Sequence, residues 1–302
     1  MRKRSMTLAV AAVSILLAPQ ALAPRAQAFG TIRALGQNAE HERITRSGLA
    51  SFGFGPQSLG QLAGANGTWG AVGMPDNPDR GLSNLKAAHC DGGDFFDAPG
   101  YPQSQAGAVT TLTACRTYVI TNINAAVTDA AGLVKPNLEL DSTSIWGGCI
   151  FNGAKGRAKC NVFEDMGLVF HAAQDFYSHS NWTDAPRGAP SIDDPQGLNH
   201  TAPALWLAPG GGGVFPSGLI SGCYEGFPEF AHCPGRIKHA VLNKDTTGTA
   251  RGMPAYTRAM SVAAQDTRNK WTYLEKRLVA VYGAPRGNKM ICVLKRDDPA
   301  SC

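Results

Sequence analysis

Three residues set the first expectation. His171, Asp175 and His179 stand at i, i+4 and i+8 in the stretch FEDMGLVFHAAQDFYSHSNW, residues 163–182. On a helix each step of four residues rises about 6 Å and turns only about 40° beyond a full circle. The spacing therefore predicts one slanted stripe of two imidazoles and a carboxylate. That donor set suits a divalent metal of borderline softness, zinc before others. The apolar residues Val162, Phe163, Met166, Val169, Phe170, Ala173 and Tyr177 fall on the opposite side, which predicts a core face and a chemistry face. The alternative for the stripe is the polar face of an ordinary amphipathic helix. Its aromatic and small neighbours, in place of a Lys/Glu mix, favour the metal.

Other motifs bound the chemistry. The tract Gly210 to Gly213 has no Lys-Ser/Thr after it and is not a phosphate loop, and no Gly-x-Ser-x-Gly marks a serine esterase. Asp91, Asp94 and Asp97 could hold calcium, but their spacing misses the EF-hand loop. His200 and His232 read as surface histidines. Ser178, Ser180 and Asn181 read either as groups orienting the imidazoles or as caps of the central helix. Three Asn-x-Thr sequons, at Asn66, Asn181 and Asn199, carry no inference.

The rest of the chain must position these residues. Residues 1–28 have the form of an export signal: Arg2, Lys3 and Arg4, an apolar run too short to span a membrane, and Ala26-Gln27-Ala28 as a cleavage site. Cleavage there leaves Phe29 first in a secreted, extracellular chain with no transmembrane segment. The net charge is +5, and the signal holds four cations with no acid, so the remainder carries +1 and no nucleic-acid-binding signal. Eight cysteines follow the signal, an even number that in an exported chain favours disulfides. The short loops Cys149–Cys160, Cys223–Cys233 and Cys292–Cys302 are the expected pairs.

Strand signals are sparse, and the class expected is mainly α, one all-helical domain over residues 29–302 with long disulfide-held loops. Helical spacing marks residues 41–49, with Asn38 as N-cap, and residues 59–63, 82–89, 104–133, 235–245 and 254–282. Residues 75–79, PDNPD, are turn chemistry that displays two carboxylates. Residues 183–234 form an irregular insertion, long enough to be functional or disordered.

The wording QDFYSHSNW, with the histidines and aspartates around it, resembles the zinc-dependent phospholipase C and P1 nuclease superfamily, and its Het-C-like branch in particular. The chain from residue 29 on also resembles the CinY group of exported actinobacterial proteins. The superfamily resemblance implies an all-helical fold around two or three zinc ions. It places Phe29 as a ligand through its backbone amine and carbonyl once the signal is removed, then His41, then Asp76 (with Asp79 as rival) and His89. It places His171, Asp175 and His179 on the central helix, with Asp175 bridging two ions, and His239 as the later histidine. Asn243 stands where the superfamily has a glutamate, which weakens the third ion, and Asp245 follows two residues on. Asp76 is also the implied general base. The activity implied is hydrolysis of a phosphodiester, such as a phospholipid headgroup, with no oligomeric state indicated. The competing function is a secreted, non-catalytic binding protein stabilised by the same metal.

Overall fold

The structure is a computed structural model, which describes residues 29–33, 37–211, 213–226, 229–248 and 251–302. The export signal, residues 1–28, lies outside the described residues. Among them are ten α-helices and no strand, only isolated bridges. In chain order the helices are α1 (Glu40–Leu49), α2 (Pro56–Ala63), α3 (Lys86–His89), α4 (Gln105–Asp129), α5 (Ser142–Ile145), α6 (Ala158–His179), α7 (Glu229–His232), α8 (His239–Leu242), α9 (Gly252–Tyr282) and α10 (Ala284–Lys295). No described helix is long and apolar enough to cross a membrane.

The helix predicted to carry the chemistry is α6, and it is the axis of the fold. It packs against α4, α9 and α3, with α1, α2 and α5 completing its surroundings. Every residue of α6 except Asn161 and Leu168 is buried. Both faces are interior, the apolar one in the core and the polar one against other segments of the chain. On the apolar side Val162, Phe163, Met166, Val169, Phe170 and Tyr177 join the main hydrophobic cluster with Leu112, Val119 and Ile123 of α4 and Trp271, Leu274 and Leu278 of α9. The polar residues of α6 are buried as well and must find partners or pay desolvation. Glu164 finds them in the backbone N–H groups of Asn152, Gly153 and Ala154 and in the Arg80 guanidinium. Tyr177 reaches across to Asp266 at 3.0 Å, which Lys270 neutralises at 2.6 Å.

Local outcomes differ from the sequence reading at element ends. Ala39, in a left-handed conformation at φ 49°, takes the N-cap position of α1 in place of Asn38, and no side chain caps the helix. The segments read as helices over 82–89 and 235–245 shorten to α3 and α8, one turn each. Helix α10 was not anticipated. It follows α9 directly, the chain turning at Gly283 (φ 78°), and buries Met290, Val293 and Leu294.

All eight cysteines are paired, as Cys90–Cys115, Cys149–Cys160, Cys223–Cys233 and Cys292–Cys302. Three of these are the expected short loops. The fourth ties the end of α3 to the middle of α4. The insertion over 183–234 remains irregular apart from a single 3-10 turn, Leu205–Leu207, and α7. Its start is anchored by the buried Asp184, which pairs with Lys244 at 3.0 Å and Arg251 at 3.1 Å. Asn181 holds it further on, donating to the carbonyls of Gln196 and Gly218 and accepting from the N–H of Ile220.

Candidate metal centre

The stripe of α6 meets residues delivered by five other segments. Close approach is made possible by Gly167, one turn before His171. A Cβ there would stand 2.4 Å from the backbone of Ala71, so only glycine lets α6 lie against that segment. The carbonyl of Val72 then accepts the Nδ1–H of His171 at 2.8 Å. With Nδ1 committed as donor, Nε2 of His171 carries the free lone pair. It lies 3.0 Å from Oδ2 of Asp175, 3.1 Å from Nδ1 of His89 and 3.7 Å from Oδ1 of Asp76.

His41, on the inner side of α1, is oriented in the same manner. Its Nδ1 meets Oε1 of Gln174 at 2.7 Å, and Gln174 in turn donates to the hydroxyls of Thr45 and Thr267. Nε2 of His41 is left facing Oδ1 of Asp175 at 3.2 Å. Asp175 thus turns one oxygen to His41 and the other to the His89–His171 pair, at 2.9 and 3.0 Å. This is the disposition of a bridging carboxylate. Asp76, in the 3-10 turn Met74–Asp76, accepts from the Thr31 hydroxyl through Oδ2 and leaves Oδ1 toward His89 and His171. Asp79 is exposed, so Asp76 is the aspartate of the turn that joins the cluster.

A third group gathers at the C-terminal end of α6. His179 lies 2.9 Å from Asp91 through Nδ1 and 3.6 Å from Asp245 through Nε2, and its ring centroid is 4.1 Å from that of His239. Glu229 stands 3.4 Å from Nδ1 of His239. Asn243 does not join them. Its side-chain oxygen accepts the N–H of Asp245 at 2.7 Å, closing a local turn, so the carboxylates of this group are Asp91, Glu229 and Asp245. Ser178 donates to Asp245, which fits the orienting role; Ser180 is the C-cap of α6, its backbone N–H donating to the carbonyl of Phe176 at 3.1 Å. His200 and His232 are exposed, as expected, and Asp94 is neutralised by Arg236.

Three sets of potential ligands result: His41, Asp76 and His171; His89, His171 and Asp175; Asp91, His179 and His239. Within each, one donor atom per residue lies within 4.8 Å of the others. Phe29 is buried with its ring edge-on to His41, centroids 6.1 Å apart.

The comparisons with known proteins are silent. No family model matches the chain, and no curated protein or solved structure is similar to it.

The fit of these residues to a metal rests on their unmet bonding. Buried polar groups are almost always hydrogen-bonded. Yet Nε2 of His41, His89 and His179, Nδ1 of His239, and one oxygen each of Asp91, Asp175, Glu229 and Asp245 are buried without a hydrogen-bond partner. Several of these atoms approach an opposite neighbour at ion-pair distance without hydrogen-bond alignment, because they point at a shared space and not at each other. Eight orphaned donors and acceptors on one axis are what a metal cluster would satisfy. The set is nitrogen and oxygen only, since all cysteines are in disulfides.

Protonation follows the same geometry. Burial opposes charge on every imidazole, but the hydrogen bond and charge of Asp175 push His89 up to about 9, and Asp175 raises His41 as well. His179 is raised well above the ordinary histidine range by Asp91 and Asp175 against the same desolvation. His171 moves the other way, lowered by burial and by the neighbouring His41. Asp175, despite its burial, is held well below the carboxylate range by His171, His41 and His179. Protons and cations compete for the same lone pairs, so metal binding here releases protons.

Two ligand candidates could not be found from spacing. Asp91 is two residues from His89, on the far side of the left-handed Cys90 (φ 55°), and Glu229 lies at the end of the insertion. Gln174 was readable in principle, being one residue before Asp175 on a helix whose stripe was already identified.

Proposed function

We propose that the chain is an exported phosphodiesterase of the zinc-dependent phospholipase C and P1 nuclease type, processed before Phe29 and loaded with two or three zinc ions. The observation that carries this reading is Asp175, buried and divided between His41 on one oxygen and the His89–His171 pair on the other, with Nε2 of His41 left unpartnered. His41, Asp76, His89, His171 and Asp175 would hold one pair of ions. Asp91, His179 and His239, with Glu229 and Asp245 beside them, would hold the third. Bound there, the ions would supply charge neutralisation for the phosphoryl oxygens and acidify an attacking water.

The chain's own contribution is positional and acid–base. Gln174 and the carbonyl of Val72 fix His41 and His171 with their Nε2 lone pairs inward. Asp76 and His89, 8% and 6% exposed, are the ligands nearest solvent, whereas His41, His171 and Asp175 are sealed. A phosphodiester would therefore enter over Asp76 and His89. Oδ2 of Asp76 is held by Thr31, so Oδ1 is the oxygen placed to take the proton of the attacking water. Complete burial of the inner ligands favours a second reading, a secreted binding protein that uses the same ions to hold its helices together.

The test is metal analysis of the chain beginning at Phe29, followed by assay of bis(p-nitrophenyl) phosphate and of phospholipid vesicles. Two or three zinc per chain and turnover that disappears with Asp175→Asn are expected. Zinc without hydrolysis of any phosphodiester would establish the second reading. Absence of bound metal after chelator-free purification would refute both.

A further inference from the structure

A second concave site lies on the outer side of α1, away from the histidines. It is a groove of 430 Å³ between α1 and α9, within the size range of small-molecule sites. Its walls are two helix faces read at i, i+1, i+4 and i+5: Arg43, Ile44, Ser47 and Gly48 from α1, and Met260, Ser261, Ala264 and Gln265 from α9, with Arg268 continuing the α9 face. Gly48 sets the floor. A Cβ there would stand 2.7 Å from the carbonyl oxygen of Ala264, so the two helices touch at that point and diverge around it.

Charge and polarity are arranged along the groove. Arg43 donates to the Tyr256 hydroxyl at 3.1 Å, which sets it beside the first turns of α9. Arg268 sits three turns further along α9, a rise of about 18 Å from Tyr256. Both guanidinium groups line the groove. Arg268 is exposed and makes no hydrogen bond or ion pair with the described residues, and Arg43 is 44% exposed. No carboxylate lines the groove; the nearest one, Glu40, is buried 4.0 Å from Arg43. Ser47, Ser261 and Gln265 offer hydrogen-bonding edges, with Met260 and Ala264 beside them and Ile44 buried beneath.

We infer that this groove binds a small organic dianion: two oxyanion groups, carboxylate, phosphate or sulfonate, carried on one molecule. Guanidinium groups match such oxyanions bidentately, and the hydroxyl and amide edges satisfy their remaining lone pairs. The volume suits a small molecule. The site is independent of the metal cluster, since none of its lining residues is a ligand candidate.

The probe is naphthalene-2,6-disulfonate, whose sulfonates are poor metal ligands and so do not report on the histidine cluster. Calorimetric titration of the full chain should show one saturable site. Affinity should fall roughly tenfold with Arg268→Gln and further with Arg43→Gln added, because charge-assisted contacts are lost. Ser261→Trp, which fills the groove without changing charge, should abolish binding, and Asp175→Asn should leave it unchanged. All four substitutions must keep the far-ultraviolet dichroism of the parent. Binding unaffected by the double arginine substitution, binding lost with Asp175→Asn, or no saturable binding at millimolar probe would each overturn the assignment.

Discussion

Replacing Gln174 by alanine separates a metal centre from a merely well-packed polar core. Gln174 is fully buried and makes three side-chain hydrogen bonds, to His41 at 2.7 Å, Thr45 at 2.9 Å and Thr267 at 3.1 Å. The Thr267 hydroxyl keeps its own bond to the carbonyl of Ala263, so Gln174→Ala strands two groups, Nδ1–H of His41 and the Thr45 hydroxyl. At about 1–3 kcal/mol for each abandoned buried group, with a side-chain void added, the loss of stability should be about 3–5 kcal/mol. That cost arises whatever the site does. The discriminating quantity is metal affinity. Without an acceptor at Nδ1, the His41 ring is free to rotate and to place its proton on Nε2, the atom that faces Asp175. Removal of such an orienting partner weakens metal binding about 10–100-fold, or about 1.4–2.7 kcal/mol. Competition titration against a chromophoric chelator should show one ion of the set weakened by that factor and the rest unchanged. Thr45→Val, which leaves the His41–Gln174 bond intact, should lower stability with metal affinity preserved, and Gln174→Glu should restore affinity by restoring the acceptor. If folded Gln174→Ala binds every ion as tightly as the parent, the assignment of His41 as an oriented ligand is wrong.

Other outcomes follow from the third group and from a buried acid remote from it. Asp91→Asn should remove one metal equivalent per chain by elemental analysis, whereas Asn243→Ala should leave the metal content unchanged; the reverse pattern would restore Asn243 as the ligand. Asp165, on α6, is pushed from 3.8 up to about 8 by burial and then by Asp129 and Glu164. Its folded state therefore retains a proton that the unfolded chain has released between those two values. Its stabilising contribution is full below about pH 4 and is lost as pH rises through about 8. Asp165→Asn keeps a donor for Asp129 and cannot ionise, so urea unfolding should show it equal to the parent near pH 4, gaining on it through the range up to pH 8, and about 5 kcal/mol more stable at pH 9. A pH-independent difference would refute this account.

What the sequence made legible was what a regular helix encodes. His171, Asp175 and His179 could be placed on one stripe because helical spacing is geometry, and α4, α6 and α9 were visible for the same reason. The three short cysteine loops were readable because a closed loop of that size leaves few partners. Spacing carries no geometry outside helices, so Asp91 read only as a calcium candidate beside Asp94 and Asp97, Glu229 gave no signal, and Cys90 with Cys115 could not be paired. That the chemistry face of α6 is buried could not be read from the stripe. A polar stripe predicts an exposed face only when nothing covers it, and here α1, α3 and the segment at Ala71 cover it with groups of matching polarity. Helix α10 had an apolar repeat at Met290, Val293 and Leu294 that was masked by its position directly after a longer helix.

The Cys90–Cys115 bond bears on how such a centre is assembled. Cys90 lies between His89 and Asp91, which face different ligand sets, and its sulfur is 3.0 Å from the carbonyl of Ala172 on α6. Before oxidation, a thiolate at this point would be the softest donor in the neighbourhood and would compete with both sets for an incoming zinc ion. Oxidation removes that competitor and, in the same step, locks the backbone that aims His89 one way and Asp91 the other. On the proposed function, the bond would act as a proofreading step in maturation. A chain that meets metal while still reduced would be drawn toward mismetallated forms, and one that is oxidised first would present only its intended ligands.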